Sequence, residues 1–265
     1  MENDRYQRGL IKLREIDGEA GENVKKSLED IAPDLAKYII EFSFGDIYSR
    51  KSTDLRQKEI AVVAALTALG NAVPQLKVHI NGALNVGCSP EEIVEVIIQM
   101  SGYSGFPSSI NGINAFKEVI KDRKINFTPV KYVNEADRFQ IGSQFLSKLE
   151  KNQVQILKEN LDDIAPDLVD YIVAYGYGDI YSRKILDLKM RQIATIAALT
   201  AMGTAKSQLA FHIKAGLNVG LTKDEIIETI ILMVVYAGFP AAINGINAVK
   251  DVFKDINPIF EDKEK

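Results

Sequence analysis

The sequence predicts an all-α protein built as two tandem copies of one helical-bundle unit. Three observations lead there. The stretch Asp54–Gly87 (DLRQKEIAVVAALTALGNAVPQLKVHINGALNVG) returns as Asp187–Gly220 (DLKMRQIATIAALTAMGTAKSQLAFHIKAGLNVG), an offset of 133 residues that no insertion or deletion breaks. Apolar residues recur at helical spacing, and no stretch alternates as a half-buried strand would. From Ile60 to Leu69 the chain is apolar on nearly every side, interrupted only by Thr67, which suits a helix with neighbours around its whole circumference.

In order, about Arg5 to Ile16 reads as a modest amphipathic helix, and Pro33 to Phe42 places Leu35, Tyr38, Ile39 and Phe42 on one helical face. Asp54 is a plausible N-cap for the central helix, which turns at Gly70 into a second helix from near Pro74 to Gly87. Ser89-Pro90-Glu91-Glu92 carries a capping box with proline at the first helical position, and Thr222-Lys223-Asp224-Glu225 repeats the logic without proline. Ile93, Val96, Ile97 and Met100 form the buried stripe that follows. Gly105-Phe106-Pro107 breaks that helix and starts the last one, to about Val119. The copies join around Lys121 to Glu135, which gives two lobes, 1–128 and 129–265.

Composition narrows the function classes. A net charge of -4 and an isoelectric point near 5.4 give no reason to expect nucleic acid or an anionic membrane as partner. MENDRYQRGL lacks the parts of a signal peptide, and the longest apolar run, about ten residues, falls short of the about 20 that a bilayer requires. A cytoplasmic protein is the expectation. One cysteine, Cys88, with Leu221 at its repeat position, excludes an internal disulfide and a CxxC motif.

His79 and His212 are the only histidines, and they hold the same repeat position. Each lies on an apolar helix face, either as a core residue with one satisfied hydrogen bond or as a proton donor or acceptor in a pocket between helices. Glu59 lies near the start of the central helix. Hairpin arithmetic brings it within roughly 7 Å of His79 along the helix axis, close enough for a proton relay, directly or through one water. Gln192 takes its place in the second copy, where it can orient a ring but cannot act as a base. Arg50 and Arg183 end the two GDIYSR tracts. Each could clamp a substrate carboxylate or form a structural ion pair with an acid such as Asp46. Tyr48, Tyr103, Tyr181 and Tyr236 could line a pocket or fill the core, and Asn111 and Asn114 suit a helix or subunit contact.

RYQRGL, SLEDIAPDL, FGDIYSR, the ALTALG…QLKVHINGALNVG hairpin, SPEEIVEVI and YSGFPSSINGINAF together resemble the carboxymuconolactone decarboxylase family, which includes the alkylhydroperoxidase D type proteins. The resemblance implies helical bundles that assemble into trimers or hexamers, so a trimer of this double chain would imitate a single-domain hexamer. The peroxidase branch pairs a CxxC with a glutamate and a histidine. Glu59 and His79 match the latter two, but the cysteine positions fall near Asn71 or Ala72 and at Gln75. The lyase branch needs no cofactor, and there the resemblance makes His79 and His212 the acid and Arg50 and Arg183 the carboxylate ligands. The GDIYSR tract departs from the decarboxylases, which resemblance associates with tryptophan and glutamate in place of its tyrosine and aspartate. The expectation is a cofactor-free lyase acting on a small carboxylated lactone or related acid. Thiol-dependent antioxidant and non-catalytic binding or assembly protein are the alternatives.

Overall fold

The computed structural model describes residues 4–18, 23, 25–132 and 137–256, and every regular element among them is helical. The part of the join at 133–135 lies outside the described residues. In the first copy α1 is Asp4–Asp17, α2 is Pro33–Tyr38 running into a π-helix at Ile39–Tyr48, and α3 is Leu55–Leu69. Then come α4 (Val73–Asn85), α5 (Pro90–Ser104) and α6 (Phe106–Asp122). The second copy holds α7 (Arg138–Leu149), α8 (Gln153–Leu161) and α9 (Pro166–Tyr171), the last continuing as a π-helix at Ile172–Tyr181. α10 (Leu188–Met202), α11 (Lys206–Asn218) and α12 (Lys223–Ile256) complete it. α12 is two helices that meet at a kink, Gly238 with φ 82°, the counterpart of Gly105 at φ 85°.

The local chemistry explains the boundaries. Asp54 accepts from the Gln57 amide at 2.8 Å, while the Gln57 side chain accepts from the Asp54 amide, so a capping box starts α3. Gly70 and Gly203 end the central helices in the left-handed region, φ 68° and 69°, where a side chain would be strained.

The π-helices change which face is buried. Ile40, Phe44 and Tyr48, four residues apart, point inward, whereas Leu35 and Tyr38 on the expected face are 50% and 59% exposed. Wider turns with i→i+5 bonding shift the inward stripe off the α-helical spacing that the sequence suggests. Glycines at 9 and 142 let α1 and α7 close onto these widened turns, since a Cβ at either would collide with the carbonyl of Ile40 or Val173.

The copies are not separate bodies. α3 and α10 pack against each other, and one continuous apolar core runs from Leu13 and Ile60 through Met100 to Ile193 and Met233. Two buried ion pairs cross the middle in pseudo-symmetric positions. Lys58 Nζ meets Glu228 at 2.7 Å, and Arg191 meets Glu95 at 2.9 Å. Each cation is almost wholly buried and takes further acceptors, Thr53 and the Arg50 carbonyl for Lys58, Gln99 and the Arg183 carbonyl for Arg191.

Candidate active site

Each histidine sits on the second hairpin helix, facing the start of the central one. His79 Nδ1 lies 2.9 Å from Glu59 Oε2, a direct contact that needs no bridging water. A carboxylate only accepts, so Nδ1 carries the hydrogen. Tyr48 donates to Glu59 Oε1 at 3.0 Å, and its own oxygen lies 2.5 Å from the Tyr236 hydroxyl, which must then donate to it. Tyr236 comes from α12, in the other half of the chain. Its ring also meets His79 edge-on, with centroids 4.9 Å apart. Glu59 is fully buried, so neither the surface position nor the longer gap that the sequence allowed is observed. Gly82 makes room for it, because a Cβ there would approach Glu59 Oε2 to 2.9 Å. The second copy pairs Gln192 with Ala215 at these positions.

Electrostatics follow the partners. Burial disfavours the His79 imidazolium, but the Glu59 carboxylate outweighs it with help from Asp17, so the ring's pKa rises above the ordinary 6.5. His212 Nδ1 instead donates to the Gln192 carbonyl at 2.8 Å, and burial pulls its pKa down to about 3. Burial also lifts the hydroxyls of Tyr48 and Tyr236 well above 10, so both stay neutral donors.

Asp17, at the end of α1, joins the group unannounced by the sequence reading. It is 7% exposed, its Oδ1 has no hydrogen-bond partner among the described residues, and burial pushes its pKa up to about 6. Glu150 holds the same repeat position, so an acid next to the buried Ile16 or Leu149 was the available signal.

A cleft of about 780 Å³ opens beside this network. Lys12, Arg50, Lys51, Arg56 and Lys58 line it, with Glu15 and Asp54 as its acids and Tyr48 on its wall. Arg50 keeps a loose contact with Glu228 at 3.7 Å and stays 42% exposed, and Lys51 has no ion-pair partner among the described residues. His79 does not line this cleft; Tyr48 and Glu59 connect the two.

Arg183 requires a correction. Its Nε is bound to Glu95 at 2.5 Å and its side chain is only 14% exposed, so the second arginine ties the halves together where a substrate clamp was expected. Neither arginine pairs with the aspartate of its own tract. Asp46 binds Arg5 and Asp179 binds Arg138. Tyr181 is buried and bonds Thr195 and Tyr103. Cys88 is buried, and burial pushes its thiol up to about 12, so it is a poor nucleophile. Asn111 and Asn114 are exposed on α6.

The family model described as the carboxymuconolactone decarboxylase family matches residues 33–118 and again 166–251, once in each copy. The chain belongs to the carboxymuconolactone decarboxylase family. Over 125 residues, 47% of this chain, it is 34% identical to the 4-carboxymuconolactone decarboxylase of Acinetobacter baylyi, covering 92% of that protein. It is 28% identical over 126 residues to the nitrosuccinic acid decarboxylase of Metarhizium robertsii, 87% of that protein and 45% of this chain. A crystal structure from Burkholderia xenovorans, provisionally described as a gamma-carboxymuconolactone decarboxylase subunit, superposes with a TM-score of 0.59 at 21% identity. The superposition covers 94% of this chain and 98% of that one, and it shows that the two share a fold.

Proposed function

We propose that the chain is a cofactor-independent decarboxylase that removes CO2 from a small carboxylated lactone or related organic acid, with His79 as the source of the proton. The observation that carries this is the buried His79–Glu59–Tyr48 chain ending on a cleft lined by five cationic side chains.

Arg50 and Lys51, the least committed cations of the cleft, hold the substrate's carboxylate groups. As the C–C bond to the leaving carboxylate breaks, CO2 departs and the bond electrons move toward the ring carbonyl as a dienolate. Tyr48, which lines the cleft, is the network's last member before the substrate. Tyr48 gives its proton to substrate carbon as Glu59 passes one to the Tyr48 oxygen and the imidazolium passes its Nδ1 proton to Glu59. The net change is one proton from His79 to product, with Glu59 and Tyr48 restored. The relatives named as decarboxylases support the reaction class.

The test is CO2 release in D2O from 4-carboxymuconolactone and from nitrosuccinate, with a panel of small dicarboxylic acids beside them. Stoichiometric CO2 and one deuterium on product carbon are expected. No CO2 above background from any of them overturns the reading.

A further inference from the structure

The repeat would give two equivalent sites, yet four local differences separate them. The first is Glu59 against Gln192, which leaves His212 facing a neutral amide. The second concerns the outer ring nitrogen. His212 Nε2 accepts the Tyr103 hydroxyl at 3.2 Å, whereas His79 Nε2 has no hydrogen-bond partner among the described residues.

The third difference lies beside the second. Thr195 replaces Val62, and its hydroxyl takes Tyr181 at 3.0 Å and Gln99 at 2.9 Å. Tyr103 reaches both the Tyr181 hydroxyl, at 2.8 Å, and the imidazole. The remaining charges near the second ring are already spoken for. Glu150, at Asp17's position, is paired with Lys214 at 2.6 Å, and Arg191 and Arg183 share Glu95. Around the first ring, Asp17, Glu59, Tyr48 and Tyr236 are the titratable neighbours.

The fourth lies at the mouth. Ser49 and Arg50 line the open cleft of the first half. Their counterparts Ser182 and Arg183 are covered by Tyr132 from the connecting segment, whose hydroxyl meets Ser182 Oγ at 3.0 Å and whose ring sits 5.4 Å from the Arg183 guanidinium. Phe145 stands where Lys12 lines the first cleft.

We infer that each chain carries one working proton-transfer site, the His79 site, and that the second half keeps a closed copy whose ring nitrogens are both engaged and whose mouth is covered by Tyr132. The inference rests on the proposed reading of the His79 site, and it makes residue 192 and the connecting segment the determinants of which half works.

With two histidines, NMR of uniformly labelled full-length protein follows both rings at once, with His79→Asn and His212→Asn for assignment. From pH 5 upward the His79 signal titrates with a midpoint above the ordinary 6.5, and the His212 signal stays that of a neutral ring. Succinate, as a plain dicarboxylate probe, shifts His79 and leaves His212 in place. The double variant Gln192→Glu/Tyr132→Ala makes His212 titrate in the same range and respond to succinate, with the unchanged His79 signal reporting an intact fold. Both rings titrating together in the wild type, succinate moving His212 there or failing to move His79, or a folded double variant with His212 still silent, each overturns the inference. A double variant that loses the His79 signal is replaced by Gln192→Glu alone, which must still make His212 titrate. These readouts need no turnover, so failure of the CO2 assay condemns the reaction assignment and not this one.

Discussion

Glu59→Gln turns the first site into a chemical copy of the second, and the protein itself supplies the magnitude. His212, held by a glutamine and buried to a similar degree, titrates at about 3. Removal of the Glu59 charge takes away the leading interaction that overcomes burial at His79, so its pKa falls from above 6.5 toward that of His212. At pH 7 a ring with a pKa near 3 is protonated in roughly one molecule in 10⁴. Turnover that needs the imidazolium then drops by about 10²- to 10⁴-fold, the usual range for a lost general acid. The amide fills the same space and can still accept from Nδ1, so the fold survives. The assay pairs CO2 release at pH 7 with an NMR titration of the His79 ring. Glu59→Gln protein in which His79 still titrates above 6.5, or in which turnover is unchanged, refutes the coupling.

Two further predictions concern stability. Asp17 has a native pKa of about 6 against an ordinary 3.8, so between those values the native state holds a proton that the unfolded chain releases. Stability therefore falls as pH rises from 3.8 through 6, by up to about 3 kcal/mol, and the penalty persists above pH 6. Asp17→Asn carries no charge at any pH. Urea denaturation at pH 8 should show a gain of about 1–3 kcal/mol, shrinking toward pH 4; no gain at pH 8 contradicts the penalty of burying this carboxyl. Glu228→Ala strands Lys58, which is about 1% exposed, without its anion, and a loss of about 3–5 kcal/mol in chemical denaturation is expected. A loss below about 1 kcal/mol would mean that the pair does not hold the halves in register.

Much of the fold was legible because its signals are local. The caps at Asp54 and Ser89, the left-handed glycines at Gly70 and Gly203, and the all-round apolar run of the central helix each state their structure within a few residues. The π-helices were not legible, since nothing in Ile39–Tyr48 distinguishes i→i+5 from i→i+4 bonding until the carbonyls meet the glycine of the neighbouring helix. The Glu59–His79 contact followed from hairpin geometry. The tyrosines that complete each site did not, because Tyr236 and Tyr103 arrive from the opposite copy, and a repeat compared with itself cannot show which halves exchange side chains. Arg183 misled for the same reason: its partner Glu95 lies across the pseudo-symmetric interface, on an element that no spacing rule ties to GDIYSR.

The claim at the centre is that one imidazole feeds its proton through Glu59 and Tyr48 to a carboxylated substrate. It is tested most directly by single-turnover CO2 release from His79→Asn protein whose fold is verified by its melting curve. A rate about 10²- to 10⁴-fold below wild type at pH 7 is expected. A His79→Asn protein that releases CO2 as fast as wild type would contradict the account outright.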